Sequence, residues 1–570
     1  MAGLPGMSSL GLQRGHSHAL KFQWVRPGSL QIAWQVWAVW VAVFALYSAF
    51  LPRDAGYDIA HYHLQNGWSA LHGRLDQDLA PADFHSFVNP VHSMLVWSLI
   101  ERLPGPIVMA LLSPIHAFIL PVLYALGARV LERLEINLDP LVLMLVAATG
   151  YLALGNTLMH ASVGNDHWGV LAFLIALVLL IGERGQGPTW KNLALGSLIL
   201  GAAVGMKVTN SVYVPGYAIA VMVLSPSWTD RFKASAICAG AGVLGIALLG
   251  GWWAWTMWEM FGNPVYPNLS VAFGSSPLSP DEAFRDERYL PVNIFDLFAR
   301  PFFFSFDTSL IYEFALVDLR FLVGYLAVAF ALGWMARTAL RGAAWPKGTR
   351  LVAALSAGFL ASFVVWSELF SIMRYANALW IIGPLLALLI TLWAVPRLAQ
   401  SPRLVLISLA ACLALVFTTS QSPSRRVVWT AWDEPYVWTE LPSEADIAGA
   451  AILFSAHYPT AFNAPALRDA AWFTHADSQA WSKPGLKNYR PQIAARLAAH
   501  QGPVYAVMFW GQSSDADDLH RMASDYGYTA RPEACLRLRT SFDLDAMHWA
   551  LCPLVPASDA PVMDQSDTVS

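Results

Sequence analysis

Carboxylates and cations gather at a few places in an otherwise apolar chain. The text Arg53-Asp-Ala-Gly-Tyr-Asp58-Ile-Ala-His-Tyr-His63 follows a long apolar run and enters a stretch with helical spacing. On one helix, Asp54 and Asp58 would stand a turn apart, as would Asp58 and Tyr62. A carboxylate pinned at the end of a membrane span suits the removal of a proton from a sugar or lipid hydroxyl. The alternative for Asp58 is a solvated loop carboxylate or a helix cap. Asp166, in Gly164-Asn165-Asp166, opens a later apolar run, where an N-cap role is equally available. Asp58 and Asp166 together could hold a divalent cation.

The same early loop carries five of the fifteen histidines: His61, His63, His72, His85 and His92. A metal site is one reading. No pair has an i, i+4 spacing on an evident helix and no HExxH occurs, which favours surface or capping roles. Lys207, in Gly205-Met-Lys-Val-Thr209, lies between two apolar runs, and Arg374, in Met373-Arg-Tyr375, lies at the mouth of another. A lysine near a membrane usually has a partner or a task. Two cations at one depth suit a lipid-linked phosphate; snorkelling to the interface is the alternative for each. In the loop 258–319, Asn-Pro and Tyr-Pro punctuate a turn, and the Asp–Arg pairs read as structural ion pairs. Arg288 is the exception kept as a phosphate contact.

The elements that must position these residues follow from composition. The chain has 570 residues, of which 13% are charged and 56% apolar, with 25 Trp. A soluble protein carries roughly 25% charged residues, so a polytopic membrane protein is expected. A net charge of −4 gives no basic footprint for nucleic acid. Four cysteines exclude a disulfide scaffold and a Cys-based zinc module. Windows of about 20 apolar residues predict eleven spans, at about 31–51, 106–128, 140–157, 166–182, 192–206, 208–224, 235–257, 320–336, 351–368, 375–395 and 404–419. The first is too long and starts too late to be a cleaved leader. Lys and Arg fall in alternate short loops, which puts the N-terminus inside and the C-terminus outside. The loops 52–105 and 258–319, which hold most of the candidate residues, are then external. Two stretches of the first loop, from Asp58 and over Pro90–Leu103, read as interfacial helices.

The fold class is thus membrane all-α: a helix bundle of about eleven transmembrane helices, with a small C-terminal α/β domain. The expected divisions are a disordered cytoplasmic segment 1–29, a transmembrane domain 30–420, an α/β domain 421–556 and a disordered tail 557–570. In the C-terminal domain, strands are predicted at Arg426–Trp432, Ala451–Ser455, Val504–Phe509, Leu536–Thr540 and Met547–Leu551, and helices at 490–500 and 514–526. It lacks a phosphate-binding glycine motif, so no catalytic role is read from it. Cys535 and Cys552 flank a predicted hairpin and are either a disulfide or two buried thiols.

With these features in order, residues 31–395 resemble the GT-C superfamily, polytopic glycosyltransferases that use polyprenyl-phosphate sugars, such as protein O-mannosyltransferases and lipid A aminoarabinose transferases. The resemblance rests on Tyr57-Asp58…Tyr62-His63, Asn165-Asp166, Gly205-Met-Lys207-Val-Thr209, Gly262-Asn-Pro-Val-Tyr-Pro-Asn268 and Arg374-Tyr375. It implies an inverting transferase in the bacterial inner membrane, with a polyprenyl-phosphate-linked donor and a cell-envelope acceptor at the outer face. Asp58 would deprotonate the acceptor. Lys207 and Arg374 would bind the donor phosphate, with Tyr375 and His63 as further substrate contacts; Arg288 joins them from the reading of its own loop. Asp166 would hold a divalent metal with Asp58 or orient the site. A transporter or flippase, or a polysaccharide polymerase or ligase, is the alternative. A transporter should show internal repeats and charged or broken helices near the bilayer midplane, and no repeat is evident.

Overall fold

The computed structural model describes residues 32–559 apart from 52, 55, 159–161, 183–187, 275–286, 420–428, 431–434, 456–458, 479–488, 512–513 and 544–547. The segment 1–29, most of the tail and part of the strand expected at 426–432 lie outside them. Five helices are long and apolar enough to cross a membrane: Gly105–Leu134, Trp228–Phe261, Arg320–Leu340, Thr349–Leu369 and Met373–Ala394. The other six expected spans coincide with apolar helices of 10–17 residues. Val91–Ile100, expected to be interfacial, is a further short helix.

Glycine lets the helices meet backbone to backbone. Gly201 and Gly205 of Trp190–Met206 lie against Gly242 and Gly250 of Trp228–Phe261, Gly216 faces Gly358, and Gly324 faces Gly383. A Cβ at any of these glycines except Gly242 would strike a neighbouring backbone. In lipid, where apolar burial between helices gives little, such close approach supplies the packing.

The C-terminal part is built on short strands. β1 (Arg53–Asp54) pairs antiparallel with β2 (Trp429–Thr430). The others are β3 (Thr439–Glu440), β4 (Ala451–Phe454), β5 (Trp472–His475), β6 (Val504–Trp510), β7 (Tyr528–Ala530), β8 (Leu536–Thr540) and β9 (His548–Pro556). They form one sheet in the order β3-β8-β9-β6-β4-β5, with β7 pairing with β9. β4 runs parallel to β5 and β6, whereas β9 is antiparallel to its neighbours. Helices Tyr489–Ala499 and Asp515–Asp525 complete the α/β arrangement. Cys535 and Cys552 form a disulfide that ties the start of β8 to β9.

The first loop is sewn to this domain. Leu79 forms a parallel bridge with Thr474 on the edge strand β5, and its N–H donates to the Phe473 carbonyl at 2.9 Å. The buried Arg53 guanidinium donates to the Ser541 carbonyl. Tyr436 Oη donates to the Asp54 carbonyl at 3.1 Å. One expectation is corrected here: Asp54 does not share a helix with Asp58. It lies in β1, and its carboxylate accepts from the N–H groups of Gly56 and Val163 at 2.9 and 3.2 Å.

Candidate active site

Asp58 sits at the N-terminus of a π-helical turn, Ile59–His63, which runs on into the helix Leu64–Leu71. A turn of this kind inserts one residue per turn and often marks a functional position. Asp166 is the first residue of the helix Asp166–Ile181, where the helix dipole favours a carboxylate. Lys207 lies where the helix Trp190–Met206 breaks: its backbone is extended (φ −148°, ψ 113°), and a 3-10 turn, Val208–Val212, follows. Arg374 belongs to the 3-10 turn Met373–Ala376, which precedes Asn377–Ala394. That turn is fixed by Trp366 Nε1, which donates to the Ile372 carbonyl at 2.7 Å, and by the Met373 N–H to the Ile311 carbonyl at 2.8 Å.

Four elements far apart in sequence thus deliver four charged groups to one place. Arg374 Nη1 donates to Asp58 Oδ2 and stands 3.9 Å from Asp166 Oδ2. Lys207 Nζ donates to Asp166 Oδ1 at 2.5 Å. Both cations face the Tyr375 ring, Lys207 Nζ at 5.3 Å and the Arg374 guanidinium carbon at 5.1 Å from its centroid. Two carboxylates and two cations balance, so the cluster is neutral as it stands. Arg374 Nε is buried and makes no hydrogen bond among the described residues, a donor that an anion could satisfy. A dication placed between Asp58 and Asp166 would have to displace these cations from the oxygens it needs.

Asp58, Lys207, Arg374 and Tyr375 line a cavity of about 2240 Å³. Ile246, Trp253 and Met257 of the helix Trp228–Phe261 give it an apolar side. Arg288 is exposed and also lines it. His63 is elsewhere. It is buried at the end of the turn Ile59–His63, with Nδ1 2.8 Å from Ser93 Oγ and its ring 5.9 Å from that of His92.

Three features escaped the reading of the sequence. Asn89 donates from its side-chain amide to the carbonyls of Gly205 and Leu249, at 2.7 and 2.8 Å, and so clasps the helix break before Lys207 to the helix Trp228–Phe261. The C-terminal domain is not remote from the cavity, since Asp477, Arg490 and Arg521 help to line it. Histidines expected at the surface instead converge: His61 and His85 meet Asp83, with the His61 ring 5.7 Å from that of His475. Burial alone would raise the Asp83 carboxyl, but His85 and His61 beside it hold it well below the usual carboxylate range. Burial lowers His475 to about 3, so its imidazole is neutral at physiological pH. The spacing Asp83-x-His85 was the one available signal; the partner His61 comes from another turn.

No family model and no curated protein matches this chain. Among solved structures it is similar to the Archaeoglobus fulgidus oligosaccharyltransferase. The crystal form tethered by a disulfide to an acceptor peptide with the NVT sequon gives a TM-score of 0.46 at 12% identity, over 90% of this chain and 74% of that one. The apo form gives 0.43 at 13% identity, over 86% and 71%. The complex with Zn and sulfate gives 0.37 at 12% identity, over 87% and 72%.

Proposed function

We propose that this chain is a membrane glycosyltransferase of the GT-C type, which moves a sugar from a polyprenyl-phosphate donor to a cell-envelope acceptor at the outer membrane face. The observation that carries this reading is the convergence of Asp58, Asp166, Lys207 and Arg374 at a cavity with an apolar wall. A lipid-linked phosphate needs cations for its headgroup and an apolar surface for its tail. Lys207 and Arg374 supply the first, and the helix Trp228–Phe261 supplies the second.

In this reading the donor also releases the base. While Arg374 holds Asp58, the carboxylate is a poor proton acceptor. A phosphate that engages Arg374 competes for the guanidinium and leaves Asp58 able to accept. The acceptor hydroxyl then passes its proton to Asp58 as its oxygen bonds to the anomeric carbon. The bond from that carbon to the phosphate oxygen breaks, and polyprenyl phosphate leaves with the electron pair. Lys207 and Arg374 stabilise the charge that grows on it. Asp166 keeps Lys207 in place, and a single displacement inverts the anomeric carbon.

The test is transfer from a short-chain polyprenyl-phosphate sugar, labelled in the sugar, to envelope acceptors by the purified chain in detergent. Asp58→Asn is expected to lower turnover by about 10²–10⁴-fold with the protein still monodisperse. Turnover within twofold of the unsubstituted chain would remove Asp58 from the mechanism.

A further inference from the structure

The cavity is lined in part by Asp83 and His85, which the proposed transfer does not use. His61 projects from the turn Ile59–His63, and Asp83 and His85 come from the 3-10 turn Asp83–Phe87. One ligand-type atom from each lies within 4.8 Å of the others. His61 Nε2 is 3.5 Å from Asp83 Oδ2, and His85 Nδ1 is 2.7 Å from Asp83 Oδ1. His61 is 1% exposed, and neither of its ring nitrogens completes a hydrogen bond among the described residues. Burying such an imidazole is costly unless a ligand takes up its lone pair.

We propose that His61, Asp83 and His85 bind a zinc-type divalent ion, with His475 of the C-terminal domain as the fourth ligand. Two or three imidazoles with one carboxylate are borderline donors, which select zinc over the oxygen-seeking magnesium and calcium. Zinc bonds of about 2.0–2.2 Å set donor atoms roughly 3.3–3.6 Å apart; the His61–Asp83 spacing of 3.5 Å already matches, and the 2.7 Å His85–Asp83 contact must open by less than about an ångström, within reach of side-chain rotation. His475 is fully buried at the end of β5, its ring centroid 5.7 Å from that of His61. Outer contacts that would orient the ligands are already present. Ser478 Oγ donates to Asp83 Oδ2 at 3.0 Å, and Asp477 Oδ1 is 3.9 Å from His475 Nδ1. The ion would be a closed, structural clamp: three ligands come from the first loop and one from the domain docked on it. It is separate from Asp58 and Asp166, and it does not rest on the sugar-transfer reading.

The experiment needs no substrate. The full chain in detergent is stripped with a chelator, dialysed and titrated with Zn²⁺ alone, and bound metal is measured by mass spectrometry. One ion per chain is expected. His61→Gln, Asp83→Asn, His85→Gln and His475→Gln should each weaken binding by at least about 100-fold, beyond the range for outer contacts. A stripped chain that takes up no zinc would overturn the site. Full affinity in His475→Gln would overturn the clamp. If a variant fails to fold, the unsubstituted chain loaded with Co²⁺ decides: the strong visible absorption of tetrahedral cobalt supports the site, and its absence refutes it.

Discussion

At the scale of single residues, the cluster is notable for what its cations already hold. Arg374 donates to Asp58 and stands 3.9 Å from Asp166, whereas Lys207 donates to Asp166. Arginine presents a planar fork that can grip two acceptors at once, which a lysine cannot reproduce. Removing Arg374 should therefore do more than weaken a phosphate contact, because it also takes the guanidinium away from Asp58. A hydrogen bond to a charged group contributes about 1.5–3 kcal/mol. Arg374→Ala is expected to lower kcat/KM for the donor by about 10–150-fold, through both kcat and donor KM, with acceptor KM little changed. Arg374→Lys should recover part of the loss. Initial rates at varied donor and acceptor separate these outcomes, and an equal rise in both KM values would count against a donor role.

At the scale of elements, the breaks carry as much as the helices. Lys207 points where it does because the helix Trp190–Met206 stops one residue earlier, and Asn89 holds that stop. Asn89→Ala leaves the carbonyls of Gly205 and Leu249 without their side-chain donor, at about 1–3 kcal/mol for each buried group that loses its partner. The expected result is a lower unfolding temperature in detergent together with weaker donor binding. A loss of stability with donor binding intact would show that the clasp does not reach Lys207. The helices themselves were legible because apolar runs bounded by Pro, Gly and charge announce them locally: the expected 235–257 and 375–395 fall inside or nearly match Trp228–Phe261 and Met373–Ala394. Strand Leu536–Thr540 was legible by its alternation. The strand Trp472–His475 was not, since its four residues are all buried and its strand character comes from pairing with β4. Asp54 was misread for the same reason: β1 exists only because Trp429–Thr430 returns to pair with it. The four charged groups could be singled out as residue types at apolar boundaries, but their contacts depend on helix packing that no local pattern encodes.

At the scale of the whole molecule, the first loop is joined to the C-terminal domain at several points, and Arg74 is one of the residues that join them. Its guanidinium makes a paired contact with Asp78, Nε to Oδ2 at 3.1 Å and Nη2 to Oδ1 at 2.9 Å. It also lies 4.5 Å from the centroid of the Phe473 ring and 3.3 Å from the Ala470 carbonyl, both in the C-terminal domain. Asp78 in turn accepts from the Phe473 N–H at 3.0 Å. Burial raises the Asp78 carboxyl, and Arg74 works against that rise. Breaking a buried pair by removing one partner costs about 3–5 kcal/mol, because the remaining charge is left uncompensated. Arg74→Ala should therefore loosen the docking, whereas Arg74→Ala with Asp78→Ala should recover part of it. Limited proteolysis of the detergent-solubilised chain measures this, with faster cleavage between the last helix and the sheet in the single variant than in the double. If both variants are cut at the rate of the unsubstituted chain, the pair does not hold the domain in place. The cavity would then owe its C-terminal wall to the other links, among them the edge bridge at Leu79 and Thr474, the Arg53 and Tyr436 contacts and Ser478 on Asp83.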